Sequence, residues 1–364
     1  MIPIADIMAA GPVVPRAGRA AVLCALLAAL PPASATAQAE PGAPWAGGGP
    51  LPPITRDAQD IPAAGGALPP RTVPSLPAGA ALPGAADPAG LGVVTHVPAP
   101  ATLPGAGIGE GDGAEPPRAA PPAPRAVGPI DTRVRVTDTT VWPARAAGLL
   151  VAEFGGLESY CSAALVGPSS VLTAAHCVYD PALGWAVNVR FVPGANGAGV
   201  MPHGAWPVAA MHVPTGFLAG AANDYGRVVG YDMALLTLGA PVGGALGWFG
   251  YGPAPDLPGA PATAPGGDSG AVPSQDGRRA FLSYPADKPM ATLWRADCTP
   301  RLLPASPALV AHDCPTFAGA SGGPMFTPGA PPRITAVNVA ETPEHNLGVS
   351  IGPEYAAWLD GVWR

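Results

Sequence analysis

The sequence predicts an all-β domain, a barrel or sandwich with one C-terminal helix, preceded by a disordered Pro/Ala/Gly-rich segment. Three observations predict it. Downstream of about Val127, short strand-like runs alternate with Gly and Pro punctuation. Between about Glu40 and Arg125, neither helical nor strand periodicity lasts more than a few residues. Only after Pro353 do apolar residues fall at clear helical spacing.

Residues 1–39 read as an export signal. Arg16 and Arg19 precede the apolar run Ala20 to Leu30, and Ala37-Gln38-Ala39 is an A-x-A cleavage pattern. The run is too short to span a bilayer, which takes about 20 residues. An uncleaved anchor is the competing reading, and Met8 is an alternative start. Cys24 lies inside the run without the small residue that precedes a lipidated cysteine, which argues against a lipoprotein. No other segment is apolar enough to cross a membrane, so the expected product is secreted or periplasmic, with no span once the signal is removed.

Residues 40–126 are mainly Pro, Ala and Gly with scattered polar residues. Such a stretch buries too little apolar surface to offset its chain entropy. It is expected to be a disordered pro-segment or linker. The whole chain is 12% charged with a formal net charge of −7. That argues against a nucleic-acid partner, which needs clustered positive charge.

Residues 127–364 form the expected folded domain. Its strand-like runs are Ala147 to Glu153, Ser162 to Val166, Val171 to Ala174, Ala186 to Val192, Trp206 to His212, Ala234 to Leu238 and Ile334 to Val339. Many short strands and few helices imply a barrel or sandwich. The closing helix carries Tyr355, Trp358, Leu359 and Val362 at i, i+3, i+4 and i+7. With Cys24 removed, Cys161, Cys177, Cys298 and Cys314 remain, an even number that implies two disulfides in an exported chain. No C-x-x-C pair is present, and no metal or cofactor is expected.

Three strings carry chemistry. Leu172-Thr173-Ala174-Ala175-His176-Cys177 runs an apolar strand into a histidine. A general base needs a rigid seat, because small displacements at the reacting centre cost rate heavily. A Cys161–Cys177 bridge to the preceding strand supplies one, adding about 3 kcal/mol on the chain-entropy account. Gly319-Ala320-Ser321-Gly322-Gly323-Pro324 offers a serine among glycines. Serine needs a base and oxyanion donors to act as a nucleophile. The backbone N–H groups of Gly319 and Ser321 are the expected oxyanion hole. Asp232 opens the buried-strand string Asp232-Met233-Ala234-Leu235-Leu236 and is the expected partner of the histidine. Its rival Asp224 sits among turn formers, where a solvated role suits it better.

Together, Thr173-Ala174-Ala175-His176-Cys177, Asp232-Met233-Ala234-Leu235-Leu236 and Ser321-Gly322-Gly323-Pro324 resemble the three signatures of trypsin-like serine proteases, in that superfamily's order. The string Arg133 to Thr140 is similar to the mature N-terminal stretch of the bacterial glutamyl-endopeptidase-like branch. The resemblance covers 127–364. It implies two packed six-stranded antiparallel β-barrels with the site between them. It also implies a secreted serine endopeptidase with a His176, Asp232, Ser321 triad, an acyl-enzyme intermediate and polypeptide substrates, expected as a monomer.

Ala320 stands where trypsin has the aspartate that pairs with its new N-terminus, so that activation switch is missing. Removal of the proline-rich segment is the expected alternative, with Arg125 as the candidate cut. In the glutamyl branch a Thr or Ser five residues before the nucleophile and a later-strand His hold the acidic substrate side chain. The resemblance places Thr316 and Asn338 at those positions, with Glu341 following as a repelling charge. Preference for small, polar or basic side chains stays open. Cys298 and Cys314 are the expected second bridge. His96, His203, His212, His312 and His345 are expected as surface or packing residues.

Two other classes compete with this one. Gly319-Ala320-Ser321-Gly322-Gly323 also fits the nucleophile elbow of α/β-hydrolases, but that fold needs an acid and then a His after the serine. Only His345 follows, and the helical pattern after Ser321 is missing. A trypsin-like fold without activity, serving as an extracellular binding module, is the alternative that the three intact signatures argue against.

Overall fold

The structure is a computed structural model that describes residues 69–72, 74–83, 88–98, 130–220, 224–260, 277–329 and 331–363. The expected signal peptide and the Arg125 cut lie outside the described residues.

Two strands precede the main body, β1 (Val93–His96) and β2 (Val134–Arg135). Then β3 (Ala147–Phe154) and β4 (Leu157–Leu165) form a hairpin over Gly155 and Gly156. Both glycines have positive φ, 57° and 84°. A two-residue turn of that hand matches the right-handed strand twist, and glycine reaches it without steric cost. β5 (Ser170–Thr173) continues the meander. The small hairpin β6 (Tyr179–Asp180) and β7 (Gly184–Trp185) leads to β8 (Val187–Pro193), β9 (Trp206–Pro214) and β10 (Ala234–Leu238). The order β9-β10-β5-β4-β3-β8, with β8 paired back to β9, closes a six-stranded antiparallel barrel. Leu149, Leu150, Leu165, Leu172, Phe191 and Met211 fill it and are fully buried.

The second sheet takes β11 (Gly250–Tyr251), β12 (Arg279–Ser283), β13 (Trp294–Cys298), β14 (Arg301–Leu303), β15 (Ser306–His312), β16 (Pro324–Phe326), β17 (Arg333–Glu341) and β18 (Asn346–Ser350). It runs β14-β15-β18-β17-β16-β12-β13-β2, with β11 on β17. This sheet is a half-barrel. Among the described residues its end strands β14 and β2 do not pair with each other, so the second barrel of the expected pair is open there.

The C-terminal helix Pro353–Trp363 buries Tyr355, Trp358 and Leu359, as its spacing predicts. The Tyr355 hydroxyl donates to Gly230 O at 2.7 Å. That bond fixes the turn two residues before Asp232, so the helix helps to seat the candidate site.

Parts of the proline-rich segment lie on the domain. β1 pairs with β9 from Val93↔Pro214 to His96↔Met211, and His96 stacks on Trp185 at 4.9 Å. Leu76 is 5% exposed, within the core. These stretches narrow the expectation of a disordered 40–126. The edge of β9 supplies the backbone partners of β1. Apart from 69–72, 74–83 and 88–98, the segment's residues lie outside the described ones.

Candidate active site

His176 sits in the single turn Ala175–Cys177 that follows β5, 6% exposed. Cys177 bridges to Cys161 on β4, with Cα atoms 6.1 Å apart, so the strand and the turn are tied covalently. Cys298 bridges to Cys314 at 5.2 Å on the second sheet. Each pair lies beside a histidine, His176 and His312, within metal-ligating reach. Oxidation to disulfides leaves no thiolate there to bind a metal.

Asp232 is completely buried. Its Oδ1 accepts the His176 backbone N–H at 2.9 Å, and its Oδ2 accepts from Nδ1 at 2.6 Å. The carboxylate opposite assigns the proton to Nδ1, which leaves Nε2 as the free lone pair of a neutral ring. His176 Nε2 has no hydrogen-bond partner among the described residues. Asp224, by contrast, pairs with Arg227 at 3.2 Å on the surface.

The Ser321 loop is fastened to the first barrel through Ser162. Ser162 N–H donates to Ser321 O at 2.8 Å, and its Oγ donates to Gly319 O at 2.8 Å. Thr173 Oγ1 donates to Ser162 O at 2.9 Å, one strand from His176. Gly322 has φ +79°, and a Cβ there would stand 2.1 Å from Ser162 O. Gly319 has φ +89°, and a Cβ there would stand 2.6 Å from the Tyr160 ring. Only glycine permits this approach of loop to barrel. Ser321 is fully buried, and its Oγ also lacks a hydrogen-bond partner among the described residues. The site therefore sits where the two sheets meet.

The expected pocket residues divide. Thr316 is fully buried with its Oγ1 unpartnered among the described residues. Asn338 braces the Ser321 loop: its Nδ2 donates to Ala320 O at 3.3 Å, and its backbone bonds Gly322 and Gly323. Glu341 bonds the N-terminal segment through its backbone.

His312 is a packing residue, as expected, but it packs at the heart of the site. Its Nε2 lies 3.0 Å from Asn338 Oδ1. Burial pulls its pKa down from 6.5 to about 4, against the opposing effect of the Asn338 hydrogen bond. The charge of His345 nearby contributes to the lowering. Between those values the unfolded chain binds more protons than the folded one, so stability falls as pH drops from about 6.5 to about 4. The loss reaches roughly 3 kcal/mol at the low end. Urea unfolding at pH 7 and pH 4.5 checks this. His312→Gln is expected to flatten the dependence, and an unchanged slope would count against it.

Sequence reasoning missed Ser162 and Tyr225. The Tyr225 hydroxyl donates to Asp232 Oδ2. Burial and then the Asp232 charge raise its pKa well above the usual phenol value, so it remains a donor. The sequence marks that string only through its neighbour Asp224, because the hydroxyl gains its meaning from a carboxylate seven residues away. Tyr225→Phe is expected to lower kcat about tenfold with KM and fold intact, the scale of one charge-assisted hydrogen bond. The His176 Nδ1 proton resonance should shift with it. An unmoved resonance with lowered activity would assign the tyrosine a merely structural part.

The sequence model of the Trypsin family matches residues 145–358. A glutamyl endopeptidase of Bacillus licheniformis is 29% identical over 241 residues, covering 66% of this chain and 66% of its own. An extracellular metalloprotease of Bacillus subtilis is 26% identical over 232 residues, covering 63% of this chain and 66% of its own. The chain thus spans just under two thirds of each relative. A solved Glu endopeptidase, in complex with MPD, superposes with a TM-score of 0.52 at 22% identity, covering 65% of this chain and 98% of that one. Matched by the family over more than half of its length, and folded on the same plan, the chain belongs to the trypsin family.

Proposed function

We propose that the chain is an exported serine endopeptidase in which His176, Asp232 and Ser321 act on polypeptide substrates. The observation that carries this reading is the buried Asp232–His176 pair at 2.6 Å, which spends Nδ1 and leaves Nε2 open. Nε2 takes the Ser321 hydroxyl proton as Oγ bonds the substrate carbonyl carbon. The N–H groups of Gly319 and Ser321 receive the oxyanion. Collapse breaks the C–N bond, and Nε2 returns the proton to the leaving amine. Water then opens the acyl-enzyme by the same route.

Residues 1–39 are the proposed signal and 127–364 the protease unit. Two disulfides suit an oxidising compartment. Thr316, whose hydroxyl has no hydrogen-bond partner among the described residues, and Asn338 are the proposed contacts of the substrate side chain, and Glu341 disfavours an acidic one.

The test is labelling with a sulfonyl fluoride, read by mass spectrometry, together with cleavage of an unfolded protein. Label on Ser321 and cleavage are expected. A chain freed of residues before Val127 that does neither would sink the reading. Profiling a peptide library then fixes the side-chain preference.

A further inference from the structure

The N-terminal segment crosses the site itself. Tyr160 N–H donates to Pro69 O at 3.2 Å, and Arg71 N–H donates to Tyr160 O at 2.9 Å. Further along, Glu341 N–H donates to Pro74 O at 3.0 Å, and Leu76 N–H donates to Glu341 O at 2.8 Å. Tyr160 lies on β4 beside Cys161, and Glu341 ends β17, so the segment joins the two sheets. Between these anchors the Arg71 carbonyl accepts the N–H of Gly319 at 3.2 Å. That N–H is one of the two donors proposed for the oxyanion hole.

Arg71 has a built seat. Its guanidinium donates to His176 O at 3.1 and 3.3 Å, pairs with Asp180 at 3.0 Å and lies 4.2 Å from the Phe154 ring centroid. A carboxylate, a carbonyl and an aromatic face together match a guanidinium. A cavity of about 280 Å³ lies against the segment, lined by Arg71, Thr72, Pro74, His176, Tyr179 and Tyr225 among others.

We propose that residues 69–72 and 74–76 are an inhibitory strap held in the peptide-binding cleft, anchored by Arg71 in a guanidinium site of Asp180, the His176 carbonyl and Phe154. This rests on the reading of the site as a protease's. The strap takes backbone groups of both walls by strand addition, the mode by which extended peptides bind sheet edges. It takes an oxyanion donor as well, while Ser321 beneath is fully buried. The Arg71 side chain is spent on Asp180, His176 and Phe154 rather than on Thr316 or Asn338. Its carbonyl therefore reaches Gly319 without its side chain entering the expected pocket, and the strap blocks the site without offering a bond for cleavage. Its tether makes the blockade intramolecular, so a free substrate competes against a high effective concentration.

The experiment compares the full chain with Arg71→Glu and, separately, Leu76→Pro, which removes the donor to Glu341. Ser321 labelling by a sulfonyl fluoride and amide exchange at 69–76 are followed together. Both variants are expected to label at least about tenfold faster than the parent, with faster exchange at 69–76, as loss of a charge-assisted or backbone hydrogen bond shifts the bound population. Brisk labelling of the parent, unchanged in the variants, overturns the strap and leaves the protease reading standing. Exchange in the parent as fast as in an unfolded peptide also overturns it, as does a cut at Arg71–Thr72. If nothing labels in the parent or in either variant while exchange still responds to Arg71→Glu, the segment is docked by Arg71 but the protease reading falls, and the inhibitory role falls with it.

Discussion

Ser321→Ala is expected to lower kcat on an unfolded protein substrate by about 10⁶-fold, with KM and stability nearly unchanged. The size follows from the proposed division of labour between nucleophile and base: without Oγ the proposed acyl-enzyme path is closed, and only oxyanion and binding effects remain. The unchanged stability follows from the structure. Ser321 Oγ has no hydrogen-bond partner among the described residues, so alanine removes a hydroxyl that holds nothing. The backbone bonds that seat the loop, Ser162 N–H to Ser321 O and Gly322 N–H to Asn338 O, do not involve the side chain. Turnover measured on purified parent and variant under one condition decides it. A variant that keeps more than about a hundredth of parental kcat would move the nucleophile elsewhere.

The contrast between the two sheets shows what the sequence could say. The strands of the first barrel were legible because they are runs of Ala, Val and Leu between Gly and Pro, such as β3 and β10. Much of the second sheet was not. β12 carries Arg279, which is fully buried, a residue that in sequence reads as surface. It is neutralised by Asp256 at 2.7 Å and held by Thr335 at 3.0 Å, both far away in the chain. β13 is similarly masked by Arg295 and Asp297, which pair with each other on its exposed face. The triad candidates were legible because each lies in a short local string. Tyr225, Ser162 and Arg71 were not, because each acts through a partner that only the fold brings near. The composition of the proline-rich segment predicts a stretch unable to build a core of its own. Its composition could not reveal that two walls of a cleft offer it hydrogen bonds.

Asp232→Asn is expected to lower kcat by about 10⁴-fold while the fold survives, and Asp224→Asn to change it less than about twofold. The asymmetry is a matter of hydrogen-bond direction. Asp232 is an acceptor three times over, from His176 N–H, His176 Nδ1–H and the Tyr225 hydroxyl. An amide supplies one oxygen and one NH₂. With the oxygen kept on the backbone N–H, the NH₂ faces Nδ1 and forces the ring to carry its proton on Nε2. That tautomer cannot take the proton of Ser321. With the amide flipped, NH₂ opposes the backbone N–H, and one buried donor loses its acceptor. The Tyr225 hydroxyl adapts to either case, since it can rotate to accept. Asp224 holds only an exposed pair with Arg227, with side chains 54% and 83% exposed, and such pairs contribute little. Steady-state kinetics on both variants, with the His176 Nδ1 proton followed by NMR, separates them. Loss of that resonance is expected in Asp232→Asn alone. Equal losses of activity in the two variants would show that the carboxylate works through overall charge, and the tautomer argument would fail.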